Sequence, residues 1–254
     1  MKQYNTTHLD PEQLLKNGVL HRDYLAHAFR WGKVAMDTLT GEKICDFGCG
    51  PGFLAEILWR NRVNPGYYLG FDIRQQIIAK AASKYANLNW AQFVCLDLIK
   101  DTYDFAGINA DKVTSFEVLE HVGRQNADSY LQRFKECGHE NATYYLSTPN
   151  YDTKVGAADN HTYDSGDGRG VAVHEFTHAE LQALLEKHFT IVKKFGTFAS
   201  VGDYKPLLND WQRQMYEGLK EYYEPNMLAN IMAPFFPEQS RNTLWILKRK
   251  PLIS

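Results

Sequence analysis

Hydrophobic and polar positions are patterned along the chain in blocks that predict strands and helices in turn. Short apolar runs, such as residues 67–71, predict buried strands, and segments with apolar residues three and four apart predict amphipathic helices. The predicted strands are residues 43–47, 67–71, 92–96, 112–116, 143–147, 190–195 and 243–248, and the predicted helices between them are 52–60, 74–84, 126–137 and 177–187. This alternation predicts an α/β fold, a doubly wound and mostly parallel sheet with helices on both faces.

Two further segments extend the alternating pattern. Residues 23–39 have apolar side chains at helical spacing and predict a helix before the first strand. Residues 198–240 separate the last two strands. Within them five apolar residues at helical spacing predict a stripe that packs in the core or in a dimer contact rather than binding a ligand: Leu208, Trp211, Met215, Leu219 and Tyr222. We expect one domain over residues 1–254, in which the first helix and the insertion cover the active site.

Composition limits the classes of partner. Hydrophobic residues make up 44% of the chain and charged residues 23%, as is ordinary for soluble globular proteins. The formal net charge of −2 argues against an extensive basic surface for nucleic acids or membranes. We see no signal peptide or membrane-spanning run, and the four cysteines lack CxxC spacing. We therefore expect a cytoplasmic location.

The first predicted strand runs into a glycine-rich turn, Asp46-Phe-Gly-Cys-Gly-Pro-Gly. Glycines at positions 48, 50 and 52 allow a tight turn and a close approach of the backbone to a ligand. The next two predicted strands end in acids, Asp72 and Asp97. Because an acid after the second strand commonly holds ribose hydroxyls in nucleoside-binding sheets, these residues predict a nucleoside cofactor.

In these residues the sequence resembles the class I S-adenosylmethionine (SAM) dependent methyltransferases, over roughly residues 44–195. The resemblance implies that the loop 48–52 lies against the methionine part of SAM and that Asp72 takes the ribose hydroxyls. It also implies that Asp97 and Leu98 flank the adenine. The cofactor-binding residues implied in this way are Asp46, Gly48, Cys49, Gly50, Gly52, Asp72, Ile73, Asp97, Leu98 and Glu117.

The fourth predicted strand is followed by an ExxEH motif. If the chain turns helical after Glu117, spacings of three and four place Glu117, Glu120 and His121 on one face. Two carboxylates and an imidazole suit a divalent metal ion. The alternative is that Glu117 contacts the cofactor or the backbone, while Glu120 and His121 orient the loop.

The ExxEH motif, with Leu146-Ser-Thr-Pro-Asn and His174-Glu-Phe-Thr-His-Ala-Glu-Leu, resembles the ubiquinone-biosynthesis O-methyltransferases. It resembles more weakly the small-RNA 3′-terminal 2′-O-methyltransferases, which hold Mg²⁺ through ExxEH and a later histidine. The resemblance implies a site for Mg²⁺, Mn²⁺ or Zn²⁺. Its ligands would be Glu117, Glu120 and His121, with His161 or His174 as the fourth. The expected catalytic residues are His121, His174 and Glu117, with either histidine as a general base.

These observations predict a SAM-dependent methyltransferase that methylates a hydroxyl of a small molecule. A 2′-O-methyltransferase acting on an RNA end is the alternative, although acidic residues outnumber basic ones in the insertion 198–240. Such a surface is a poor partner for phosphates. A SAM-binding protein without turnover is the alternative from another functional class.

Overall fold

The structure, a computed structural model, describes residues 22–151, 162–164, 172–199 and 201–250. His161 lies outside these ranges, together with residues 152–160 and 165–171. The strands are β1 Lys43–Phe47, β2 Tyr67–Asp72, β3 Ala91–Cys95, β4 Ala110–Phe116, β5 Gly138–Pro149, β6 Thr162–Asp164, β7 Ala172–His174, β8 Phe189–Ala199 and β9 Ser240–Arg249. The α-helices are α1 Arg22–Asp37, α2 Phe53–Arg60, α3 Gln75–Lys84, α4 Ala127–Glu136, α5 His178–His188, α6 Val201–Tyr204, α7 Asp210–Leu219 and α8 Pro225–Met232.

A seven-stranded sheet with the order β3-β2-β1-β4-β5-β9-β8 forms the centre of the fold. Strands β1 to β5 pair in parallel, and β9 runs antiparallel to both β5 and β8. Strands β6 and β7 form a separate antiparallel pair. The predicted doubly wound, mostly parallel sheet is therefore confirmed.

Apolar side chains fill both faces of the sheet. On one face Phe47 packs against Phe71, Tyr130 and Phe134 with ring centroids 5.6–5.9 Å apart, and α4 and α5 cover this cluster. On the other face α1 and α2 bury residues such as Trp31 against the sheet. Since a fully buried large apolar side chain contributes roughly 1.5–3 kcal/mol, these two layers hold the carboxyl ends of the strands in place.

In the described residues between β8 and β9, two 3₁₀ turns, Lys205–Leu207 and Ala233–Phe235, accompany three short α-helices, α6, α7 and α8. Capping residues begin two of them: Asn209 accepts from the Gln212 amide before α7, and Glu224 accepts from two amides before α8. Most of the buried apolar residues of the insertion form a small cluster of their own: Ala199, Tyr204, Leu208, Tyr216, Leu228, Met232, Ala233 and Phe236.

The predicted apolar stripe of the insertion is only partly buried. Leu208 is buried, and Met215 and Leu219 pack at the edge of the cluster. Trp211 and Tyr222, however, are 67% and 82% exposed, so these two residues do not pack in the core of the chain. One physical reason is that α7 ends at Leu219, so position 222 no longer follows the helical spacing. Within α7 the buried residue is Tyr216, which lies about 140° around the helix from Trp211.

Two further findings concern membrane-spanning helices and the state of the cysteines. None of the described helices is long and apolar enough to cross a bilayer. All four cysteines are free thiols, with Cys45, Cys49 and Cys137 buried.

Candidate active site

The loop that follows β1 has the tight backbone for which its glycines were singled out. Gly48, Gly50 and Gly52 have φ values of +73°, +54° and +85°, a region that L-residues rarely adopt. A Cβ atom at Gly48 would lie 2.1 Å from Val118 Cγ2, so this position also lacks space for a side chain. At Gly50 the nearest atom to such a Cβ would be Arg74 Nη2, 3.9 Å away, so Gly50 faces an open side of the loop.

Asp46 lies in β1 beneath this loop and is buried. Its carboxylate accepts hydrogen bonds from Thr114 Oγ1 and from the Tyr68 hydroxyl, each 2.6 Å long. Burial raises the pKa of Asp46 from its ordinary value of 3.8 to about 6, although both hydrogen bonds oppose that rise. The site therefore contains a carboxylate that titrates near neutral pH.

Asp72 is the last residue of β2, and its carboxylate faces the glycine loop. The Gly50 amide donates to Asp72 Oδ2 at 3.1 Å. Arg74 donates to both carboxylate oxygens, from Nε to Oδ1 at 2.9 Å and from Nη2 to Oδ2 at 3.0 Å. The oxygens expected to take the ribose hydroxyls are thus paired with a guanidinium in this structure. Ile73, between the two residues, is exposed.

The residues expected at the adenine follow β3. Asp97 Oδ1 accepts from the backbone amides of Ile99 and Lys100, so its carboxylate closes the turn after the strand. Leu98 is buried in the cluster beneath α4. This arrangement fixes the backbone of the turn, and Asp97 is the more exposed of the two residues.

Glu117, directly after β4, is held from three sides. Its φ is +58°, in the left-handed region that is uncommon for a non-glycine residue. Arg30 of α1 forms an ion pair with Oε1, Ser147 Oγ donates to the same oxygen at 2.9 Å, and Asn242 Nδ2 donates to Oε2 at 2.6 Å. Backbone conformations of this kind cluster at functional sites, where the surrounding structure maintains them.

The other two residues of the motif lie on a single 3₁₀ turn. Glu120 is buried, and its Oε2 accepts from Thr148 Oγ1 at 2.8 Å. His121 Nε2 lies 3.8 Å from Glu120 Oε1. Burial and, next, the charge of Glu117 raise the pKa of Glu120 well above its ordinary value. The two glutamates of the motif thus have separate hydrogen-bond partners.

His174 in β7 is brought against this turn. It is 1% exposed, and its ring packs edge-on against Phe176 with centroids 4.6 Å apart. Strand β7 contacts the 3₁₀ turn Leu119–His121. The structure therefore places His174 near the ExxEH motif, as the sequence suggested, but in a buried position.

The predicted metal site receives no support. Within residues 22–151, 162–164, 172–199 and 201–250, no group of three or more His, Cys, Asp or Glu side chains is placed to hold a metal ion. Arg30 already compensates the charge of Glu117, and a guanidinium beside a carboxylate repels a second cation. The set Glu117, Glu120, His121 and His174 therefore does not fit a metal centre in this arrangement.

Sequence reasoning missed the residues that hold the two key carboxylates. Arg30, Ser147 and Asn242 reach Glu117 from α1, β5 and β9, and no local motif marks them. Arg74 had a weak signal, because it stands two positions after Asp72 at the start of a predicted helix. The sequence pattern by itself assigns Arg74 only to that helix.

Comparison with known proteins adds independent evidence. Residues 44–141 match the model of the methyltransferase domain family. The ubiquinone biosynthesis O-methyltransferase of Glaesserella parasuis serovar 5 (strain SH0165) is 31% identical over 123 residues, which are 46% of this chain and 49% of the relative. The chain thus covers about half the length of that curated relative.

Solved structures share the fold. A chain in the complex of the Haloferax volcanii Trm112 methyltransferase activator with a methyltransferase has a TM-score of 0.61 and 13% identity, with 97% of this chain and 98% of that chain covered. An S-adenosylmethionine dependent methyltransferase from Mesorhizobium loti has a TM-score of 0.58 and 18% identity, with 90% and 100% covered.

The glycine loop, Asp72 and the ExxEH motif all lie within the residues that the methyltransferase domain model matches, and the sheet has the fold of solved methyltransferases. Residues 44–141 match the methyltransferase domain family and the chain shares the fold of solved SAM-dependent methyltransferases, which confirms the resemblance inferred from its motifs. Its expected cofactor is accordingly SAM.

Proposed function

We propose that this protein transfers the methyl group of SAM to a hydroxyl of a small molecule. The observation that carries the proposal is the contact between the glycine loop and Asp72 at the carboxyl edge of the sheet, where the Gly50 amide donates to Asp72. Ligands of doubly wound sheets bind at this edge. The choice of oxygen as acceptor is supported by the 31% identity to an O-methyltransferase.

In this proposal SAM lies along the carboxyl edge and supplies a methyl group on a sulfonium. Gly48, Cys49, Gly50 and Gly52 would line its methionine part, with the carboxylates of Asp46 and Glu117 nearby. The buried carboxylate of Asp46 suits a cationic ligand, because attraction to its positive charge would offset its burial. Asp72 would release Arg74 and bind the ribose hydroxyls instead. Ile73, Asp97 and Leu98 would surround the adenine.

Methyl transfer from a sulfonium is an in-line displacement, so the protein mainly aligns the acceptor and excludes water. As the O–C bond forms and the C–S bond breaks, the hydroxyl proton must leave. We assign that proton to His121, which is partly exposed and lies beside Glu120. His174 is too buried to reach an acceptor, and we assign it to packing beneath the ExxEH turn.

Calorimetric titration of the full chain with SAM and with its demethylated product tests cofactor binding. Asp72→Ala should weaken binding about ten- to a hundredfold, since charge-assisted hydrogen bonds are worth roughly 1.5–3 kcal/mol. Gly50→Val should weaken it further, because the side chain would enter the open side of the loop. Arg74→Ala is the matched control: it removes the present partner of Asp72 and should leave binding equal or tighter.

If Asp72→Ala and Gly50→Val both bind SAM as the unaltered chain does, the cofactor site is misassigned. Incubation with SAM, a panel of small phenols and a short RNA, read by mass spectrometry, then tests the acceptor. His121→Gln should abolish product while SAM affinity stays unchanged. Methylation of the RNA alone would favour the nucleic-acid alternative, and binding without any product would favour the non-catalytic one.

A further inference from the structure

A cleft of about 400 Å³ opens on the sheet face that α1 covers. Its floor is formed by strands β4, β5, β9 and β8, and the last turns of α1 form one wall. Four lysines from different elements line it: Lys33, Lys112, Lys193 and Lys248. Pockets for small ligands commonly have volumes of about 300–1,000 Å³, so the cleft has room for one.

The cleft lies away from the proposed cofactor site. Lys112 is the third residue of β4 and pairs with Thr143 in β5. The glycine loop, in contrast, follows the carboxyl end of β1, and Glu117 follows the carboxyl end of β4. Since these strands are parallel, the lysines gather toward the amino end of the sheet, and no step proposed for methyl transfer uses them.

Positive charge exceeds negative charge in the cleft. Lys33 pairs with Asp37, which also accepts from the Tyr145 hydroxyl at 2.8 Å. Lys112 is 5% exposed and pairs with Glu42 at 2.6 Å. The other two lysines contact neutral partners.

These two lysines are Lys193 and Lys248. Lys193 Nζ lies 4.6 Å from the centroid of the Phe195 ring, and Lys248 Nζ donates to the Asn141 carbonyl oxygen at 2.5 Å. Burial and repulsion from the charge of Lys112 lower the pKa of Lys248. An anion bound between the two lysines would relieve that repulsion.

We propose that this cleft binds a phosphate monoester with an apolar body. The phosphate would take charge-assisted hydrogen bonds from Lys193 and Lys248. The apolar body would rest on Phe195 and Ile246, which lie beside them in the lining. This site is independent of the cofactor site and of the methyl acceptor.

Phenyl phosphate and inorganic phosphate are the probes, titrated into the full chain by calorimetry. We expect phenyl phosphate to bind more tightly, because only it covers the apolar lining. The double variant Lys193→Gln/Lys248→Gln should lose about tenfold or more in affinity, through the loss of two charge-assisted hydrogen bonds. Lys220→Gln is the control, since Lys220 is an exposed lysine that pairs with Glu217 in the insertion. The urea unfolding midpoint of each variant reports on the integrity of the fold.

Three results would overturn the proposal. One is the absence of phenyl phosphate binding at millimolar concentration, and another is equal weakening by Lys220→Gln and by the double variant. The third is displacement of phenyl phosphate by SAM, which would place the probe in the cofactor site. Equal affinity for both probes would show that the apolar lining does not contribute to binding, and would contradict the proposed apolar body of the ligand. A failure of SAM binding in the unaltered chain would contradict the proposed function and leave this test intact.

Discussion

At the scale of single residues, the candidate site is a group of carboxylates held out of water. Asp46 and Glu120 are buried, and burial raises the pKa of each. Glu117 forms an ion pair with Arg30. A site of this composition disfavours additional negative charge and suits a cation, which agrees with SAM as the proposed cofactor.

The prediction at the residue scale concerns how the contribution of Asp46 to the free energy of unfolding changes with pH. Its folded pKa of about 6 exceeds the ordinary 3.8, so the folded chain holds the proton more tightly. The contribution of Asp46 to the free energy of unfolding should therefore fall as pH rises from about 4 to about 6, by roughly 3 kcal/mol in total. Urea unfolding at several pH values should show the unaltered chain losing stability relative to Asp46→Asn across this window. If the difference in unfolding free energy between the unaltered chain and Asp46→Asn does not change with pH, the raised pKa of Asp46 is contradicted.

The extent to which these residues could be predicted depends on how far apart their partners are in sequence. The glycine turn and the strand-terminal acids could be identified because each is defined within a few residues. The partners of Glu117 could not, since Arg30 is 87 positions away and Asn242 is 125 away. Only the assembled sheet brings β9 and α1 to the end of β4.

At the scale of elements, α1 links the core to the site. Its apolar face packs on the sheet through Trp31 and Val34, which made the helix predictable from periodicity. Arg30, however, is 1% exposed, and periodicity alone would place a charged residue at the surface. The helix ends at Asp37, and its last turns line the cleft that contains the four lysines. One helix thus contributes to both the site and the cleft.

A double-mutant cycle on Arg30 and Glu117 tests whether α1 is coupled to β4 through this ion pair. Removing one partner of a buried pair is costly because the other charge remains uncompensated. The side chain of Glu117 is 21% exposed, so we expect a coupling energy of about 1–3 kcal/mol rather than the full value for buried pairs. The variants are Arg30→Met, Glu117→Gln and their combination, measured by urea unfolding.

The matched control for this cycle is the pair Lys33 and Asp37 in the same helix. Both side chains are partly exposed, so its coupling energy should stay below about 1 kcal/mol. If the effects of Arg30→Met and Glu117→Gln simply add, the ion pair does not couple the helix to the site.

At the scale of the whole molecule, topology places the insertion beside the site. Strand β8 is antiparallel to β9 and therefore parallel to β5, so its end at Ala199 lies at the carboxyl edge of the sheet, as does the start of β9 at Ser240. The insertion thus leaves and re-enters the sheet on the edge that holds the glycine loop. The position of the insertion between the last two strands could be predicted from the sequence. Its packing against α1 could not, because this contact joins segments that are distant in sequence: Ala26, Phe198 and Ala229.

We therefore expect the insertion and α1 to respond together when ligands bind. Hydrogen exchange should slow in α7, α8 or α1 once SAM and an acceptor are both present, because a lid closed over them opens less often. Helix α5, which packs on the opposite face of the sheet through Leu181 and Leu185, should keep its exchange rates and serves as the internal control. Identical exchange in the insertion and α1 with and without ligands would show that neither acts as a lid. Slowing confined to the loop 48–52 would restrict the effect of binding to the cofactor site itself.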